Sequence, residues 1–400
     1  MAQRRVGLWL IGACGGVGST TALGLAALAL GQAGTTGLVT ALPTFADLDL
    51  DEADQFVVGG HDIRGLGFLA AVRELHERSN VIDERLIERC AATLEAWSPN
   101  IRPGVAFKAN PIVASLADRT DLKAFATPRA AIEQVQADLK EFKTTHALDQ
   151  VIVVNAASTE PPFAVGEDQQ SLKQLKAAID KGSPALPTSG IYAFAAIDGG
   201  HTYLNLTPSR GASLPALEEL AKLRGVPIAG QDLKTGETLL KSVLAPMFAR
   251  RNLRVLSWVG HNILGNRDGL VLNDPENKAS KVTSKNALLA DLLGYAPQSL
   301  VSIEYIESLD DWKTAWDHIH FEGFLGTKMT LQFTWQGCDS LLAAPLVIDL
   351  ARLLLLAQRR KESGVQRHLA CFFKSPAGVT EHDFAKQFHL LEQYVHQAAN

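Results

Sequence analysis

Four cysteines are scattered through 400 residues, at Cys14, Cys90, Cys338 and Cys371, and no two share a CxxC spacing. This pattern excludes a disulfide-stapled scaffold and a zinc ribbon, and fits reduced thiols in the cytoplasm. Long basic runs are missing and the formal net charge is −5, so nucleic acid is not an expected partner. The sequence also lacks a clean membrane span. The apolar run at 341–357 is interrupted by Pro345, Asp349 and Arg352, which predicts a buried helix. Arg4-Arg5 followed by the apolar run to Cys14 mimics a short lipoprotein signal, but cleavage there would remove the strand that the next glycines need. No internal repeat or low-complexity linker is present. What remains is 46% hydrophobic and 20% charged, with enough length for two sizeable cores.

Residues 6–11 are almost continuously apolar, as a strand covered on both faces should be. GACGGVGST (12–20) follows, then an Ala/Leu-rich helix over 21–30. Strand, glycine turn and helix together give a dinucleotide fingerprint its meaning. Gly12, Gly15, Gly16, Val17 and Gly18 let backbone approach a pyrophosphate while the helix N-terminus supplies N–H donors. A tight connection without ligand is the alternative reading.

A second strand is expected over 37–42. Its end, TALP (40–43), carries neither the acid that grips an adenosine ribose nor a base for a 2′-phosphate, and the missing base predicts NAD rather than NADP. Asp62, in GGHDI (59–63), reads on its own as the N-cap of a helix starting near Arg64. Residues 83–147 read as mostly helical, and 151–155 as a buried strand. The strand's end, NAASTE (155–160), falls where doubly wound sheets bind ligands and contains Asn155 and Thr159. Helices at 170–181 and 216–224, with strands at 202–206 and 226–228, continue the alternation.

After GQDLKTG (230–236) the character changes. The pattern predicts a helix over 237–250, a strand over 254–258, a polar loop over 260–269 and a helix over 282–293. Strands at 301–306 and 330–335 would flank a helical piece near 312–321. A helix at 341–358 and a strand at 368–373 return to the first layer. The expected fold class is α/β: a Rossmann-like doubly wound nucleotide-binding domain (1–236 and 341–400) with an inserted α+β catalytic and oligomerisation domain (237–340).

The densest chemistry lies at 257–285. Lys281 and Lys285 are four apart, so a helix would present both ammonium groups from one face near its positive end, a place that attracts phosphate. Two ordinary surface lysines on a solvated helix start are the bland alternative.

GHNILGNRDG (260–269), SKVTSK (280–285) and GCDSLLAAPLVIDL (337–350) resemble signature segments of the myo-inositol-1-phosphate synthase (inositol-3-phosphate synthase) family. The glycine loop, GGHDI, NAASTE, GQD (230–232), DWK (311–313) and FKS (373–375) occur in the family's order, so nearly the whole chain is covered. The resemblance implies an NAD-dependent, redox-neutral cyclisation of D-glucose 6-phosphate to 1D-myo-inositol 3-phosphate, in a cytoplasmic homo-oligomer, a tetramer. It leaves open a requirement for a monovalent or divalent cation, and the metal ligands are unknown. Carried over residue by residue, Lys281, Lys285, Lys313, Lys374 and Asp232 are the expected catalytic set. Lysines suit this chemistry because negative charge develops on substrate oxygens and the phosphate must be held. Asp62, Asn155, Thr159, Asp268, Asp339 and Ser340 join the glycine loop on the cofactor. For Asp62 the resemblance adds a second reading, as a ribose ligand, compatible with the N-cap. Thr235, Asn262, Leu264, Asn266 and Arg267 fall on the sugar phosphate. Asp232 and Asp339 have a second reading as plain helix caps.

Departures from the family's pattern are Cys14 for a glycine, Val17 for an asparagine, Arg267 for the second asparagine of the loop, Trp312 for a small residue and Gly337 for a polar one. These leave room for another sugar phosphate as substrate. A net sugar-phosphate dehydrogenase and a non-catalytic NAD or sugar-phosphate sensor are the alternatives from other classes.

Overall fold

The structure, a computed structural model, describes residues 4–105, 107, 111–272 and 288–399, with backbone alone for 111, 112, 268, 271 and 272. All six residues of β1 (Val6–Ile11) are buried, so the run that mimicked a signal is the centre of a sheet. Parallel to it lie β2 (Phe56–Asp62) on one side and β4 (Gln150–Asn155) on the other. With β3 (Ile101–Pro103), β5 (Thr202–Asn205), β6 (Pro227–Ala229) and β11 (Gly364–Val365) they form a seven-stranded sheet in the order β11-β6-β5-β4-β1-β2-β3. Every pairing in it is parallel. The connections reverse direction between β1 and β4, which opens a crevice at the carboxyl ends of those strands.

Alternation along the strands divides the core into two layers. Leu8, Leu10 and Val58 pack with α1 (Gly16–Ala29), α2 (Phe68–Ser79), α3 (Glu84–Trp97), α11 (Asp339–Arg359) and α12 (Phe384–Ala399). Trp9, Ile11 and Val153 pack with α5 (Pro128–Thr145), α6 (Leu172–Asp180), α7 (Thr188–Asp198) and α8 (Pro215–Arg224) on the other face. The short α4 (Pro111–Ser115) follows β3. Helix α11 is long and apolar enough to cross a membrane, with mean hydropathy 2.0, yet 72% of that window is buried inside the fold. It is the central core helix.

A second sheet, in the order β10-β9-β7-β8, is built from β7 (Arg254–Leu264), β8 (Gln298–Tyr305), β9 (Trp312–Glu322) and β10 (Lys328–Cys338). One face packs Val255, Trp258 and Ile319 on Ala245 and Phe248 of α9 (Gly236–Arg250). The opposite face exposes Leu300, Trp316 and His318.

Four local expectations fail for identifiable reasons. Residues 37–42 hold a 3-10 turn, Val39–Ala41, instead of a strand. The N–H groups of Val39 and Thr40 donate to the Asp349 carboxylate of α11 at 2.7 and 3.0 Å, so no neighbouring strand is needed to satisfy them. The second strand is therefore β2, and the inference drawn from TALP loses its footing. Residues 312–322 are a strand: Ala315, Asp317 and Ile319 point inward and Trp316 and His318 outward, a period of two. Residues 260–264 extend β7 and pair with both β8 and β9. Residues 367–372 form a 3-10 helix where a strand was expected.

Candidate functional site

The crevice at the switch point opens into a cavity of about 600 Å³ lined from both sheets. Its floor is the turn after β1. Gly12 has φ +85°, and a Cβ on it would stand 3.0 Å from the Ala156 carbonyl. A Cβ on Gly18 would stand 2.5 Å from the Gly12 carbonyl, so these two positions require glycine. Gly12, Gly15, Gly16 and Val17 line the cavity, whereas Gly18 lies behind them against the turn. The N-terminus of α1 has no side-chain cap and no acid in its first turn, which leaves its positive end for an anion.

Asp62 ends β2 beside this turn. Its carboxylate accepts from the Cys14 N–H at 2.6 Å and the Arg64 N–H at 2.8 Å. Helix α2 starts only at Phe68, after Gly67, so Asp62 does not cap it. Burial holds this carboxyl above its ordinary range, and the two backbone donors offset only part of that rise. The Cys14 thiol, raised by burial and then by the Asp62 charge, stays protonated. At the end of β4 the Asn155 amide donates to Asn205 at 3.0 Å and Thr207 at 3.3 Å, tying this strand end to that of β5, while the Glu160 N–H donates to Ser209 at 3.0 Å and holds the loop that carries Thr159. Thr159 is buried at the cavity wall.

Two ammonium–carboxylate pairs face the cavity from different elements. Lys374 donates to Asp232 at 2.9 Å, and Lys313 on β9 stands 3.7 Å from Asp339, the first residue of α11. Asp232 does not cap α9, whose N-cap is Thr235. Ser340 donates to the buried Asp311 at 2.9 Å and lies close against Gly16. Asp311, raised by burial, also accepts from Cys338 and from the Ser340 N–H.

Thr235, Asn262, Leu264, Asn266 and Arg267 also border the cavity. Asn262 is buried and donates weakly to the Ser302 carbonyl. Asn266 accepts from the Gly269 N–H at 2.9 Å, capping α10 (Arg267–Leu272), and Arg267 donates to Glu74 of α2 at 2.6 Å. Lys281 and Lys285 lie outside the described residues, as does the side chain of Asp268. Among the described residues no group of three or more His, Cys, Asp or Glu side chains is placed to hold a metal ion.

Sequence reasoning passed over several ionisable groups here. Glu237 and Lys241, one helical turn apart on α9, pair at 2.5 Å, and Asp317 of β9 lies 3.9 Å from the same ammonium. All three are almost wholly buried. The i, i+4 spacing was the available signal, but it reads equally as a surface pair. Lys234 is buried with its ammonium on Gln387 of α12 at 2.5 Å; burial, and then the nearby Lys374, bring it down to about 8.

Comparison with known proteins agrees with this geometry. Residues 6–396 match an NAD-binding family described as myo-inositol-1-phosphate synthase. The chain belongs to that family. It is 33% identical to an inositol-3-phosphate synthase 1 of Bacteroides thetaiotaomicron, over 98% of this chain and 95% of the relative. It is 32% identical to the Oryza sativa inositol-3-phosphate synthase 1 over 76% of this chain, and there it spans 60% of the relative's length. A solved inositol-3-phosphate synthase from Caenorhabditis elegans superposes with a TM-score of 0.88 at 26% identity, over 100% of this chain and 86% of that one. NAD is accordingly the cofactor, and the glycine turn, the uncapped α1 and Asp62 fit it.

Proposed function

We propose that the chain converts D-glucose 6-phosphate to 1D-myo-inositol 3-phosphate without net redox change. The observation that carries this reading is the convergence of Lys374–Asp232 and Lys313–Asp339 on one cavity beside the glycine turn. NAD supplies the chemistry of taking a hydride from C5 and returning it at the end. Between those events the chain's own groups act on the sugar. Asp232 takes, through Lys374, the proton that leaves the C5 hydroxyl, and the Lys374 ammonium steadies charge on that oxygen. Lys281 serves the C1 oxygen as the enolate, formed by loss of a C6 proton, attacks the C1 aldehyde and closes the ring. Lys313 and Lys285 hold the phosphate, with Thr235, Asn262, Leu264 and Asn266 along the sugar. Asn155, Thr159, Asp339 and Ser340 border the cofactor's path, and the family resemblance adds Asp268. Product analysis by NMR with glucose 6-phosphate and NAD tests the reading. Inositol phosphate without accumulating NADH is expected, and NADH release without ring closure would replace it by a dehydrogenase.

The domain division proposed is 1–236 with 341–400 for the nucleotide and 237–340 for catalysis and assembly. The protein works as a cytoplasmic homotetramer joined through the open face of the second sheet. Exposed Leu300 and Trp316, and the hairpin tip Phe324-Leu325, support the assembly. Four buried, unpaired thiols suit a reducing compartment. Light scattering should give a tetramer, and Trp316→Asp should shift the mass downward.

A further inference from the structure

The true second strand brings a basic residue into the region where NAD and NADP differ. Arg64 follows Asp62 by two residues. Both are anchored on Cys14: the Asp62 carboxylate accepts from its N–H at 2.6 Å, and the Arg64 guanidinium donates to its carbonyl at 3.1 Å. A guanidinium beside the acid at the end of the second strand is the feature that accommodates an adenosine 2′-phosphate. Here that guanidinium is occupied. Its other nitrogen pairs with Glu74 of α2, whose second oxygen accepts from Arg267 at 2.6 Å. The neighbouring cation, Arg119, is held by both oxygens of Asp121 at 2.7 and 2.8 Å. Thus each arginine near Asp62 already has a carboxylate partner.

We propose that Glu74 sets the preference for the unphosphorylated ribose by withholding Arg64 from a 2′-phosphate. The inference rests on the reading that the adenosine ribose meets Asp62. A phosphate ester placed there faces the Asp62 carboxylate and an arginine whose charge is already paired with Glu74. To recruit Arg64 it must displace Glu74 and leave a half-buried carboxylate short of a partner, a cost that a ribose hydroxyl never meets. Burial opposes the charge on Glu74, but the Arg64 hydrogen bond and the fields of both arginines overcome it and hold the carboxyl below its ordinary range. Arg267, a departure from the family's loop, steadies Glu74 from the start of α10.

Calorimetry on the full chain with NAD, NADP, AMP and adenosine 2′,5′-bisphosphate tests this without reference to turnover. Glu74→Gln keeps the shape and removes the charge. It should raise the affinity of NADP relative to NAD by about tenfold or more, the worth of one charge-assisted hydrogen bond, with the same trend for the two fragments. Adding Arg64→Gln should abolish that gain. Arg64→Gln alone should leave the ratio within about twofold, because the guanidinium is already withheld. An unchanged ratio in Glu74→Gln, or a marked loss of NADP binding in Arg64→Gln alone, overturns the proposal. Asp62→Ser separates the two readings. If it weakens NAD while Glu74→Gln leaves the ratio unmoved, only the Glu74 role fails; if neither variant alters binding, the ribose placement fails with it. Glu74→Asp, which shortens the pairing arm, gives the same direction should the glutamine variant not fold.

Discussion

Lys374 and Asp232 are joined twice. The ammonium donates to the carboxylate at 2.9 Å, and the Lys374 N–H donates to the Asp232 carbonyl at 2.7 Å. The main-chain bond fixes the distance between the two side chains, so the pair meets substrate already assembled. Asp232→Asn keeps the bulk and removes the charge that orients the ammonium. Turnover should fall by about 10²-fold in this variant and at least as far in Lys374→Ala, a loss comparable to that of one oxyanion donor. NAD affinity by calorimetry should hold, since neither residue reaches the glycine turn.

Lys281 and Lys285 separate by kinetics. Lys281→Ala should lower kcat by about 10²-fold, because charge on the substrate oxygen exists only near the transition state. Lys285→Ala should instead raise KM, since phosphate contacts persist through the reaction. Normal cyclisation by Lys281→Ala would remove it from the mechanism.

The buried Glu237–Lys241–Asp317 cluster should be a stability determinant. Lys241→Met leaves two carboxylates in the core beside Trp258, whose indole donates to Asp317 at 2.6 Å. Breaking a buried ion pair on one side costs about 3–5 kcal/mol, readable by urea denaturation. Gly260→Ala should destabilise in the same place, because its Cβ would stand 2.6 Å from Glu237 Oε1.

Acid should weaken the fold through histidines kept neutral. His368 stacks on Tyr394 with centroids 3.6 Å apart, and burial brings it down to about 3; His201 falls to about 4, by burial and then by Lys143. Above the unfolded value, about 6.5, both states are neutral and the contribution is whole. As pH falls below it the unfolded chain takes up protons that the fold refuses, and stability is lost down to pH 4 and beyond. Buried carboxyls raised in the fold, such as Asp349, act with the opposite sign, so the measurement is differential. Between pH 6.5 and 4, melting curves of His368→Phe should lose less than wild type, by about 1.4 kcal/mol per pH unit. Parallel curves would refute the assignment.

Local chemistry alone determined much of this protein. An apolar run before a glycine turn admits few conformations other than a covered strand entering a helix, and β1 and α1 follow from that, as β4 and α11 follow from their own apolar runs. The ordered motifs gave the family, and with it Lys313, Lys374, Asp232 and the glycine turn, all of which border one cavity. Tertiary contacts decided the rest. Residues 37–42 have strand composition, yet Asp349, some 300 positions away, takes their N–H groups. Residues 312–322 carry a period of two that acquires meaning only when β7 and β10 pair on either side. Glu74 reads as an ordinary helix acid until folding brings Arg64 and Arg267 to its two oxygens. A charge acquires its role from the partner that reaches it, and for Glu74 and Asp349 that partner lies across the fold.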